Sequence, residues 1–160
     1  MEDAREKSKI LVVEDDGDIR QVLSVFLKCA GFVVCVATDG QEAIRLIPEF
    51  CPHLIVLDLM MKPVNGFEVL EWMRENRLTS TIPVMILTAL TDLKEQIHGI
   101  EEGAVAYVTK PTQPSVLVER IRTLLSLSEE QQKLLRYKRM DEQRRVVERI
   151  YAPQPDEFVY

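Results

Sequence analysis

The chain has 160 residues, enough for one well-buried domain and too few for two of ordinary size. Hydrophobic residues make up 46% and charged residues 29%, with no apolar run near the roughly 20 residues of a membrane span, so the composition is that of a soluble globular protein. The net charge of −6 is uneven: residues 1–125 carry 13 Lys and Arg against 19 Asp and Glu, while residues 126–160 carry seven of each. An acidic globular part argues against nucleic acid as its direct ligand. Met1 to Lys9 is charged and lacks the apolar stretch of a secretory signal, so the expected location is the cytoplasm. Cys29, Cys35 and Cys51 are odd in number and fit no zinc spacing; they read as reduced, space-filling residues.

In chain order, Ile10 to Val13 is a short, continuous apolar run, the pattern of a strand buried on both faces. Asp18 to Cys29 follows with Ile19, Val22, Leu23, Phe26 and Leu27 at helical spacing, and Gly31 stands where a helix C-cap is expected. The same alternation recurs four times. Strands are predicted at Phe32 to Val36, Leu54 to Leu57, Val84 to Leu87 and Val105 to Val108, and helices at Gln41 to Ile47, Phe67 to Asn76, Leu93 to Glu102 and Ser115 to Leu125, with Gly103 as a second C-cap. Five strand-helix pairs imply right-handed crossovers and a doubly wound α/β fold with a parallel sheet. From Ser126 to Tyr151 there is no Gly or Pro and no following strand, which predicts one additional C-terminal helix, ended by Pro153 and Pro155. Its heptad positions hold Asp141 and Arg144, so a coiled coil is poorly supported.

In such a fold, ligands bind beyond the carboxyl ends of the strands. Glu14, Asp15 and Asp16 follow the first predicted strand, Asp58 the third, Thr88 and Ala89 the fourth, and Thr109, Lys110 and Pro111 the fifth. Taken singly, each acid is an ordinary loop residue or helix cap. Their convergence with a hydroxyl and an amine is what suggests chemistry. Clustered carboxylates repel one another and favour a hard divalent cation such as Mg²⁺, and a carboxylate beside that cation can attack phosphorus to form an acyl phosphate. Asp58 stands alone after the central strand and is the best nucleophile candidate. Glu14 reads as a structural acid, His53 and His98 lie away from the convergent positions, and Lys62 reads as solvent-facing.

The segments Lys9-Ile-Leu-Val-Val-Glu-Asp-Asp16, Leu57-Asp-Leu-Met-Met-Lys-Pro-Val-Asn-Gly66, Val84-Met-Ile-Leu-Thr-Ala89 and Gly103-Ala-Val-Ala-Tyr-Val-Thr-Lys-Pro111 together resemble the response regulator receiver domain of bacterial two-component systems. The resemblance covers residues 8–126 and implies a flavodoxin-like sheet in the order 2-1-3-4-5; beyond it, composition alone predicts a helical extension at 127–152 and a flexible tail at 153–160. The resemblance further implies that Asp58 accepts a phosphoryl group from a sensor histidine kinase or phosphotransfer protein. Mg²⁺ would then be held by Asp15, Asp16, Asp58 and the Met60 main-chain carbonyl. Thr88 and Lys110 would contact the phosphoryl oxygens, Tyr107 would be the switch aromatic, and the Lys110-Pro111 bond would be cis. Phosphorylation would reshape the face made by the fourth helix, fifth strand and fifth helix. Two departures stand out: Thr112 occupies a position that is often large and apolar, and Met60 and Leu90, at positions that tune phosphoryl lifetime, are both apolar. Slow self-dephosphorylation is therefore expected. The stretch after Leu125 is short and uncharged overall, which favours output by protein contact, with or without phosphorylation-linked homodimerisation, over direct DNA binding. The alternatives are a receiver and linker of a larger effector, such as a cyclase or phosphodiesterase, and an aspartyl phosphatase acting on small substrates.

Overall fold

The computed structural model describes residues 6–79, 81–88, 104–110 and 113–151. Five strands, β1 (Lys9–Val13), β2 (Val33–Ala37), β3 (Leu54–Leu57), β4 (Val84–Thr88) and β5 (Ala106–Thr109), pair in parallel in the order β2-β1-β3-β4-β5. Parallel neighbours cannot be joined by a tight turn, so each crossover needs a covering element. The described helices are α1 (Gly17–Cys29), α2 (Gly40–Phe50), α3 (Gly66–Glu75), α4 (Pro114–Ser126) and α5 (Glu129–Tyr151).

The continuous apolar runs are explained by burial on both sides. Ile10 and Val12 of β1, Leu54 and Val56 of β3 and Met85 and Leu87 of β4 join Leu23, Leu27, Leu117 and Ile121 in one core layer, under α1 and α4. The alternate residues, Leu11, Val13, Ile55, Leu57, Val84 and Ile86, pack with Ala43, Ile47, Val69, Leu70 and Met73 under α2 and α3. A period of two along each strand therefore feeds two separate cores.

β2 corrects the expectation of burial on both faces. It lies at the sheet edge, starts one residue later than expected, and leaves Val33 41% exposed with Val34 to Val36 only partly buried. Apolar composition alone does not distinguish an edge strand from a central one. β5 is likewise displaced by one residue from the expected Val105 to Val108.

Helix ends follow local chemistry. Asp39 caps α2 through Glu42 N, and Asn65 and Glu68 form a reciprocal capping box on α3. After α1, Gly31 N donates to Lys28 O and Phe32 N to Leu27 O, a double closure that requires the left-handed φ of 97° at Gly31. α2 continues through Pro48 to Phe50, past the expected Ile47; the forgone ladder bond lies in the last turn, and Cys51 closes the end with φ 53°.

The single helix expected from Ser126 to Tyr151 is in fact the end of α4 followed by a separate α5. Leu127 is extended (ψ 144°), and Ser128 and Gln131 cap each other reciprocally at the start of α5, Gln131 N donating to Ser128 Oγ and Ser128 N to Gln131 Oε1. Leu135 packs on the core layer beneath α4, and the Gln132 amide donates to Leu124 O. No described helix is long and apolar enough to cross a membrane. The helix expected at Leu93 to Glu102, the Gly103 cap, Leu90, His98, Thr112, the tail from Pro153 and the expected cis bond at Lys110-Pro111 lie outside the described residues; the Lys62-Pro63 bond is cis.

Candidate functional site

Parallel pairing brings the carboxyl ends of the strands to one edge. Val13 and Leu57 are register partners, so the residues that follow them, Glu14 and Asp58, emerge side by side. Glu14 N donates to Ala37 O at 3.1 Å and Asp58 N to Val13 O at 3.0 Å, so both main chains are still held by the sheet. Lys110, the first residue beyond β5, reaches across the same end.

Lys110 Nζ lies 2.9 Å from both Glu14 carboxylate oxygens and 3.2 Å from Asp58 Oδ2. The second Asp58 oxygen, Oδ1, accepts from Met60 N at 3.1 Å. Glu14 and Asp58 are the buried charged residues of the described core, at 1% and 3% exposure, whereas Asp15 is exposed. Oxygens of Glu14, Asp15 and Asp58 lie within 4.8 Å of one another, and among the described residues this is the cluster that can hold a metal ion. Hard oxygen donors of this kind, one of them open to solvent, fit Mg²⁺ with part of its water shell retained. Asp15, Met60, Lys62 and Phe67 line the open groove beside it.

One ammonium thus faces two buried carboxylates. Burial pushes the Asp58 carboxyl above its ordinary value, with Met60 N–H and Lys110 opposing and Asp15 adding to the rise. Burial also raises Glu14, against the Lys110 hydrogen bond and with the Asp58 charge. For Lys110, burial alone would lower the ammonium pKa, but the bonds to Glu14 and Asp58 outweigh it and the net direction is up.

The loop after β3 is fixed by close packing. Gly66 N donates to Leu59 O at 3.1 Å, and a Cβ on Gly66 would collide with the Asp58 carbonyl oxygen and Leu59. Only glycine lets α3 start this close to the candidate nucleophile.

Of the residues singled out in the sequence, Asp15, Asp58 and Lys110 come together, and Met60 donates its main-chain N–H to Asp58 Oδ1. Asp16 is used differently: its Oδ1 accepts from Asp18 N and Ile19 N, capping α1, and the third member of the acidic cluster is Glu14. The missed signal was positional. Glu14, Asp58 and Lys110 are each the first residue past their strand, and parallel register places such residues at one level. Thr88 is the last residue of β4 and pairs with Thr109. Tyr107 is half-buried, opposite Ile86, on the α2 and α3 side of the sheet. His53 lies at the opposite end of the sheet, its Nδ1 accepting from Lys9 N at 2.8 Å. The cysteines are unpaired, and burial pushes the Cys35 thiol up.

Residues 10–122 match the family described as the response regulator receiver domain. The probable transcriptional regulator ycf27 of Cyanophora paradoxa is 43% identical over 123 residues, which cover 77% of this chain and 50% of that protein. The DNA-binding response regulator MtrA of Mycolicibacterium smegmatis is 38% identical over 125 residues, covering 78% of this chain and 54% of that one. The chain spans about half the length of the curated relatives it matches. Among solved structures, the receiver domain of Francisella response regulator 1452 has a TM-score of 0.70 at 34% identity, covering 74% of this chain and 97% of that one.

Proposed function

Because the chain belongs to the response regulator receiver domain family, whose members are phosphorylation-dependent signalling proteins and not metabolic enzymes, we propose that Asp58 is its phosphoacceptor. The observation that carries the proposal is the Asp58 carboxylate, 3% exposed, with one oxygen held by Met60 N–H and the other by Lys110 Nζ, beside two further acids. An Asp58 oxygen bonds to phosphorus as the bond from phosphorus to a histidine nitrogen of a sensor kinase or phosphotransfer protein breaks. The products are an acyl phosphate and a histidine that takes up a proton.

The contact of Lys110 with the Asp58 carboxylate supports a role for it in holding a phosphoryl oxygen there; Thr88, at the end of β4, is its proposed partner. We assign Mg²⁺ to the carboxylates of Asp15 and Asp58 and the Met60 main-chain carbonyl, with Glu14 as the third acid; Asp16, its Oδ1 committed to the cap of α1, enters only through its second oxygen. When bound, the ion supplies positive charge that offsets the repulsion between these carboxylates and an incoming phosphoryl group. The test is intact mass after incubation with a small phosphodonor and Mg²⁺. Wild type should gain one phosphoryl group and Asp58→Asn none; equal labelling of the two would overturn the assignment.

For the output, we assign residues 8–126 to the receiver, 127–152 to a helical extension and 153–160 to a tail. Signalling then proceeds by protein contact on the face that includes β5 and α4, with Tyr107 as the switch aromatic. A second reading, favoured by the half-length match to longer regulators, makes α5 a linker to an effector. Both predict an association that depends on Asp58: a phosphate analogue should change the assembly state or partner binding of wild type and leave Asp58→Asn unchanged.

A further inference from the structure

We propose that Arg20 is a positioning residue for the acidic pocket, clamping the main chain that presents Glu14 and Asp15 to the cation. This deepens the reading of the site as a Mg²⁺-dependent phosphoacceptor and rests on it. Arg20 lies in the first turn of α1, half-buried. Its guanidinium Nη1 donates to Glu14 O at 2.9 Å and sits 3.4 Å from Asp15 O, while its main-chain N–H donates to Asp16 O at 2.9 Å. Three consecutive carbonyls between β1 and α1 are thus gathered by one residue.

The geometry has a consequence for the side chains. Glu14 and Asp15 are consecutive, so their carboxylates can share a cation only if the main chain between them turns sharply at the sheet end. Glu14 N is held by Ala37 O, and the Asp16 carboxylate anchors the start of α1; the stretch between these anchors is held by the guanidinium. Both side-chain contacts come from one nitrogen, Nη1, whose position is fixed by the rigid guanidinium plane; a strongly hydrated ammonium on a flexible stem replaces it poorly. Groups that orient metal ligands without touching the metal typically govern affinity by about 10- to 100-fold.

Charge and positioning predict opposite signs. Deleting a cation beside a cation site lowers local repulsion and should tighten Mg²⁺ binding. Loss of a positioning clamp should weaken it. The experiment compares wild type, Arg20→Met and Arg20→Lys by calorimetric titration with MgCl₂, by thermal unfolding in EDTA, and by amide exchange at residues 14–16. Arg20→Met should bind Mg²⁺ about 10-fold more weakly and exchange faster at those amides, with its metal-free unfolding temperature within a few degrees of wild type. Unchanged or tighter binding in a folded Arg20→Met protein would overturn the proposal. Should that variant not fold, Arg20→Lys carries the test: its loss should be about threefold, and wild-type affinity in it would refute the clamp. A wild type that neither binds Mg²⁺ nor accepts a phosphoryl group would instead remove the underlying site reading.

Discussion

Lys110 holds the candidate site together because it is one cation shared between two buried carboxylates. Removing it leaves both anions without their partner, and a broken buried pair costs on the order of 3 kcal/mol. Lys110→Met should therefore show that loss in urea unfolding without metal. Asp58→Asn should act in the opposite sense, since it leaves a balanced Lys110–Glu14 pair and removes one of two crowded negative charges. A gain of about 1 kcal/mol, or roughly 4 °C in unfolding temperature, is expected in EDTA at neutral pH. The pH dependence follows from the raised carboxyl pKa values. Above the ordinary values of 3.8 for Asp and 4.5 for Glu, the folded protein binds more protons than the unfolded chain, so these two groups make stability fall as pH rises through that window. The advantage of Asp58→Asn should accordingly be absent near pH 3.8 and grow toward neutrality. An advantage that instead shrank with rising pH would contradict the assigned direction. For Lys110 the sense is reversed: its contribution is complete at and below 10.5 and is lost as pH rises through its higher folded value.

At the scale of elements, the start of α3 and the start of α5 carry different burdens. The capping box of Asn65 and Glu68 closes α3 directly behind the loop that holds Asp58, and Asn65→Ala should cost about 1 kcal/mol. Gly66→Ala should cost more, about 2 kcal/mol, because the new methyl meets main chain that cannot rotate away. It should also weaken Mg²⁺ binding, since the displaced atoms include the Asp58 carbonyl; a stable Gly66→Ala protein with unchanged affinity would show that the loop yields elsewhere. The α5 attachment is lighter, resting on half-buried Leu135 and the Gln132 amide, with Leu134 and Tyr137 exposed at 62% and 71%. Leu135→Ala should speed amide exchange in residues 129–140 while Mg²⁺ affinity stays within twofold of wild type. Ser128-x-x-Gln131 is the capping pattern that announces the second helix start, and it is readable in the sequence. Without it, a stretch free of Gly and Pro suggests one helix where there are two.

At the scale of the whole molecule, a parallel sheet with helices on both faces concentrates strand ends, and with them charge, along one edge. Met60 is 59% exposed beside Asp58 and presents no group able to orient a water molecule. The acyl phosphate should therefore persist for minutes or longer with Mg²⁺ present; a half-life of seconds, measured by loss of the phosphorylated mass after donor removal, would contradict this. Much of the design was legible in the linear chain. Apolar runs with alternating helical periods specify the strand count and the doubly wound class, since burial on two faces needs continuous Val, Ile and Leu. The positions of Asp15, Asp58 and Lys110 after those runs mark the charged cluster at the strand ends for the same reason, because every parallel strand ends on the same side. Three matters were decided only by tertiary structure. Edge placement exposes β2, whose sequence resembles that of a central strand. Register, not residue type, makes Glu14 the neighbour of Asp58. The return of the Arg20 side chain onto the carbonyls before its helix depends on where α1 begins relative to β1, a three-dimensional offset that no local pattern records.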